Sequence, residues 1–145
     1  MEIFTIGFTQ TTAEHFFDRL VDARIERLVD VRLKNVSQLA GFAQVRDLPY
    51  FLKRLAGVGY EHQPLLAPTD DLLSAYRKRE LDWENYERGF LWLMAERQIQ
   101  HVLQPEDFRA RTALLCSEAT ADCCHRRLLG EYLADHWSDL RMEHL

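Results

Sequence analysis

The sequence predicts an α/β fold, a single-domain three-layer sandwich in which a mainly parallel sheet is flanked by helices. Three observations predict it. Short apolar runs alternate with stretches of helical period along the chain; the run ending at Cys116 is apolar throughout, as a strand buried on both faces must be; and strand, helix and strand follow one another too closely in residues 2–31 for anything but a crossover and parallel pairing. At 145 residues the chain is one domain, large enough to bury a core without disulfides or structural metal.

The first strand spans Glu2 to Ile6 and is ended by Gly7. Thr11, with Glu14 three residues on, has capping-box spacing, and Phe16, Phe17, Leu20 and Val21 form the apolar stripe of a helix running to about Ala23. Strand two is Leu28 to Val31. Residues 33–46 carry no clean period and include Asn35, Ser37, Gln38 and Gly41, so they read as a functional loop. Asp47 caps a helix with Pro49 in its first turn and Phe51, Leu52 and Leu55 inward, ended near Gly57 and Gly59. Strand three follows at Tyr60 to Gln63; Pro64 and Pro68 force a turn, and Thr69 or Asp70 starts another helix.

A long helix covers Trp83 to Gln98, with Tyr86, Phe90, Leu93 and Met94 on one side. Pro105 opens a short helical turn. Strand four is Ala113 to Cys116, the last helix runs from Asp122 to about Trp137, and Leu140 to His144 close the sheet as a strand.

Composition narrows the function classes. The content of 47% hydrophobic and 28% charged residues is that of an ordinary soluble globule, and no apolar run approaches the roughly 20 residues that span a bilayer. The start Met1-Glu2-Ile3-Phe4 lacks a secretory pattern, and three cysteines, two of them adjacent, suit reduced thiols, so a cytoplasmic protein with no membrane partner is expected. A net charge of −5 gives no global attraction to nucleic acid. No phosphate-binding glycine loop, dinucleotide fingerprint or nucleophile elbow occurs, so the sequence names no cofactor and no protein partner.

Chemistry concentrates between Cys116 and Arg127, where a strand end, a short loop and a helix start are loaded with polar side chains. Ligands in open α/β sheets bind beyond the carboxyl ends of the strands, where helix N-termini present free N–H groups. With Asp122 as cap, Cys123, Cys124 and His125 fall in the first helical turn, where the helix dipole favours a neutral imidazole able to act as a base. Glu118 is placed for general acid–base work or for holding a ribose hydroxyl, and Cys124 for nucleophilic attack. Arg32 and Arg126 offer guanidinium forks for a carboxylate or phosphate, with Ser117 and His62 completing a ligand-binding set.

Each of these residues has a plainer role open to it. His125 can tie the helix to a loop by a backbone hydrogen bond, and Arg32 can pair internally with Glu118. Cys116 and Cys123 read as small apolar residues. Zinc ligation by the cysteines and His125 does not match the usual paired spacing, so no metal is expected. The Arg77-Lys78-Arg79 cluster, between Tyr76 and Trp83, suits a nucleic-acid backbone and stacked base but is more commonly a solvated face.

With Thr5-Ile6-Gly7 at the first strand end, Asp30-Val31-Arg32 at the second, and Leu115-Cys116-Ser117-Glu118 followed by Cys124-His125-Arg126, the chain resembles the bacterial and archaeal family called domain of unknown function 488 over essentially its whole length. Tyr60, His62, Pro64 and Leu66 fit the same pattern; Phe8-Thr9, residues 33–37 and Ala67-Pro68 depart from it. The resemblance implies an α/β fold with a pocket and brings no established reaction. The expected function is binding of a phosphorylated or anionic ligand, a small molecule, nucleotide or nucleic-acid end, together with chemistry on it. The competing expectation is a non-catalytic interaction module whose polar cluster braces the sheet edge.

Overall fold

The computed structural model describes residues 1–36, 40–118 and 120–145. Ser37 and Gln38 of the expected functional loop lie outside the described residues. Strands β1 (Glu2–Ile6), β2 (Arg27–Asp30), β3 (Gly59–His62), β4 (Thr112–Leu115) and β5 (Arg141–His144) form a five-stranded sheet in the order β3-β2-β4-β1-β5, with every neighbouring pair parallel. The predicted α/β sandwich is the observed architecture. Its topology differs from the expectation: β1 and β2 do not pair, because β4, buried at all four positions, lies between them. The most apolar strand takes the centre of the sheet, where both of its faces are covered.

The helices are α1 (Ala13–Asp22), α2 (Leu48–Phe51, continued by a π-helical turn over Leu52–Ala56), α3 (Asp70–Arg77), α4 (Trp83–Glu96), α5 (Ile99–Val102) and α6 (His125–His136). Alternation along the strands separates two cores. Ile3, Val29, Val31, Leu114 and Cys116 pack with Phe90, Leu128 and Leu129 of α4 and α6, while Phe4, Ile6, Leu28, Ala113 and Leu115 pack with Phe16, Phe17, Leu20 and Leu52 on the opposite face. Each fully buried Leu or Phe contributes about 1.5–3 kcal/mol relative to exposure. Leu55, expected inward, is 59% exposed, because the π-helical turn rotates it away from the stripe that buries Leu52. The turn ends at Gly57, whose φ of +68° falls where a side chain would be strained.

Two helix starts are shifted from the sequence expectation. Thr12, not Thr11, caps α1 by accepting a hydrogen bond from the His15 backbone N–H at 3.1 Å. Thr12→Ala is therefore expected to cost about 1 kcal/mol, read from the urea midpoint at unchanged slope. Thr11→Ala, which removes no cap, shifts the midpoint by less than half of that. At the other end of the chain, α6 begins at His125 rather than after Asp122. Cys124 is the N-cap residue, with extended backbone (φ −140°, ψ 138°) and no side-chain cap bond.

No helix among the described residues is long and apolar enough to cross a membrane. The connection leaving β2 leads to β3 on one side, and the one leaving β4 passes through α6 to β5 on the other. Connections that diverge from adjacent strands open a crevice at their carboxyl ends.

Candidate functional site

That crevice holds a cavity of about 170 Å³ whose lining includes Arg32, Lys34, Asp70, Tyr76, Arg77, Cys116, Ser117, Glu118, Cys124 and His125. Arg32 follows β2 and Cys116–Glu118 follow β4, so adjacent parallel strands deliver both. A wider groove of about 800 Å³ shares Lys34, Arg77, Ser117 and Glu118 and adds Thr9 and Gln10.

Arg32 is 3% exposed and pairs with Asp30, which is fully buried, through Nε to Oδ1 at 2.8 Å and Nη2 to Oδ2 at 2.7 Å. The two residues share a strand face because one residue separates them. Nη2 also donates to the Ala43 carbonyl at 2.8 Å, and the guanidinium lies 5.0 Å from the centre of the Phe8 ring. Tyr60 donates to Asp30 Oδ2 at 2.6 Å; burial first, then that bond, pushes its pKa up to about 12. One donor is left over: Arg32 Nη1 is buried and has no hydrogen-bond partner among the described residues. A guanidinium donor left unsatisfied can take an anion, and Arg32 is a residue that lines the cavity, its guanidinium packed against Phe8 and the Ala43 carbonyl. The expected internal pairing of Arg32 with Glu118 does not form; Asp30 takes that role.

His125 is held at both ring nitrogens. Nε2 lies 2.8 Å from the Val31 carbonyl, which only accepts, so Nε2 carries a proton and Nδ1 faces Cys116 Sγ at 3.6 Å. The backbone-tie role foreseen for His125 is present, and it aims the other nitrogen at a thiol. That thiol belongs to Cys116, not to the Cys124 favoured from the sequence. Cys116 directly follows β4, on the face that meets α6, so its alternation with Leu114 was the available signal. A hydrogen bond from the Cys124 thiol draws the Cys116 pKa well down against the opposing effect of burial, with His125 assisting. The same bond, together with burial, pushes Cys124 up. Burial disfavours a charged His125, but the facing Cys116 raises its pKa overall, opposite to the helix-dipole expectation of a neutral ring.

The remaining expected site residues divide. Ser117 and Glu118 line the cavity, and Glu118 is exposed at its mouth. His62 does not line it; its Nε2 lies 2.8 Å from the Arg32 carbonyl and so steadies the strand end that carries Arg32. Arg126 is 1% exposed and donates from Nη1 to the Glu118 carbonyl at 2.6 Å, fixing the loop rather than lining the cavity. Cys123, read as an apolar residue, is exposed. Of the residues not foreseen as ligand contacts, Lys34 bridges to Asp70 at 3.7 Å across the mouth, and Arg77 is one member of the basic cluster read as a solvated face.

Comparison with known families matches residues 12–133 to one family model, described as Domain of unknown function DUF488. No curated protein and no solved structure matches the chain.

Proposed function

We propose for this chain, which belongs to the family described as Domain of unknown function DUF488, that it binds the phosphate or carboxylate group of a small ligand, nucleotide or nucleic-acid end in the cavity beside Arg32 and acts on it there. The observation that carries this reading is the buried, unpartnered Nη1 of Arg32, taken together with the cavity that the same residue lines. Lys34 and Arg77 add positive charge at the mouth, and the wider groove they share offers room for the rest of a ligand larger than its anionic group. Glu118, at the junction of cavity and groove, is the group available for proton transfer to such a ligand. Cys124 and His125 are retained in the reacting region through their place in the cavity wall, and Ser117 as a ligand contact. His62 and Arg126 act through the backbone positions they hold.

A second reading, the non-catalytic interaction module, is favoured by one specific observation: Arg32 and Arg126 are each already engaged in holding the chain, on Asp30 and on the Glu118 carbonyl. Titration with inorganic phosphate and with sulfate separates the two. Arg32→Lys keeps a cation beside Asp30 but loses the spare N–H. Phosphate affinity is expected to fall about 10- to 100-fold in this variant, the loss of one charged hydrogen bond. A folded Arg32→Lys protein that binds phosphate as the parent does, or a parent that binds neither anion, leaves the interaction module.

A further inference from the structure

We infer that Cys116, Cys124 and His125 form a site for a zinc-class divalent ion, with one coordination position open to the cavity. Each offers one ligand atom; the three residues are buried and the three atoms lie within 4.8 Å of one another. The sulfur–nitrogen separation fits the ion. With Zn–S of about 2.3 Å and Zn–N of about 2.0–2.1 Å, a tetrahedral site has an S···N edge of about 3.6 Å. Cys116 Sγ and His125 Nδ1 are 3.6 Å apart.

The imidazole is also oriented as a ligand. A metal-binding histidine typically donates its second ring N–H to a carbonyl or carboxylate, which fixes the tautomer and turns the other lone pair to the metal. His125 Nε2 is so placed on the Val31 carbonyl at 2.8 Å, leaving Nδ1 toward the sulfurs. Adjacent residues make poor joint ligands within a helix. Here Cys124 is extended and His125 is the first helical residue, so the chain turns between them and both reach Cys116.

Charge favours the ion as well. Binding would release two protons from the cluster to solvent, and two thiolates with a neutral imidazole balance a divalent charge, leaving a site with no net charge in a buried place. Three protein ligands with a fourth position free is the arrangement of catalytic rather than structural zinc, and all three residues line the cavity. This inference goes beyond the anion-binding reading and does not rest on it. Phosphate titration tests that one; metal alone tests this one.

The experiment is titration of the chelator-treated full chain with Co²⁺. A thiolate-to-cobalt absorption band is expected, saturating at one equivalent and removed by one equivalent of Zn²⁺. Cys124→Ser and His125→Asn should each lower Co²⁺ affinity at least about 10-fold, and Cys123→Ser should leave the band unchanged. Alkylation of the parent protein, followed by peptide mass spectrometry, needs no variant to fold. Stoichiometric Zn²⁺ should slow labelling of Cys116 and Cys124 while Cys123 reacts as before. A folded parent without the band, a band lost in Cys123→Ser, or labelling rates indifferent to Zn²⁺ would overturn the assignment.

Discussion

Arg32→Ala is expected to lose about 3–5 kcal/mol of folding stability, the cost of leaving a buried partner charge uncompensated. Asp30 is completely buried in the middle of the sheet, and both of its oxygens accept from the Arg32 guanidinium. Tyr60 is then its one remaining side-chain donor among the described residues. Against a typical domain stability of about 5–15 kcal/mol, such a loss brings the variant to the edge of unfolding. From the sequence alone Arg32→Ala reads as a binding mutation that spares the fold; Asp30 reverses that order of effects. Urea denaturation measures it. Asp30→Leu combined with Arg32→Met should recover part of the loss, because removing both charges leaves neither buried alone. A loss below about 1 kcal/mol in Arg32→Ala would mean that water reaches the pair, and the cavity wall would have to be redrawn.

The sheet was legible because its signals are local: apolar runs of strand length, a capping threonine within one residue of its true position, and glycine or proline at several of the turns, Gly7, Gly57 and Pro64 among them. Strand order was not, since nothing near β1 or β2 indicates that a strand more than eighty residues away will separate them. The meeting of Arg32, Glu118 and His125 was legible for a topological reason, as residues just beyond adjacent parallel strands share one crevice. Which thiol His125 faces was not. Taking α6 to start after Asp122 puts Cys124 and His125 in one helical turn, and the two-residue delay to His125 changes which side chains converge. Helix boundaries carry little signal when no side chain caps them, and Cys124 supplies no cap bond. The paired-spacing rule for zinc does not reach a cluster such as Cys116, Cys124 and His125, because it assumes ligands presented by loops of regular geometry. Arg126 is a different case: its charge suggests a ligand contact, whereas its burial against Gly7 is readable only from the fold.

Gly7→Ala is expected to destabilise the protein by about 3 kcal/mol or more and to disturb the site in whatever fraction remains folded. The constraint is space, for Gly7 is not among the residues of positive φ. A Cβ there would overlap the Glu118 carbonyl oxygen and Arg126 Nη1, and would lie 2.7 Å from the Glu118 carbonyl carbon. Neither neighbour yields cheaply: one is backbone, and the other is a fully buried guanidinium whose bond to that carbonyl is part of the collision. The same loop is tied to the strand end a second time, through the Thr9 N–H and hydroxyl on the Ser117 carbonyl. Displacing Glu118 therefore drags Ser117 and Cys116, so Co²⁺ and phosphate binding should weaken together with stability. Gly130→Ala meets only the thioether end of Met142, a flexible side chain, and should cost less. Gly41→Ala meets nothing within 4 Å and should stay within about 0.5 kcal/mol of the parent. Thermal melts of the three variants give the ranking. If Gly7→Ala falls with Gly41→Ala, the 116–118 loop is not held against β1, and the cavity cannot have the wall described for it.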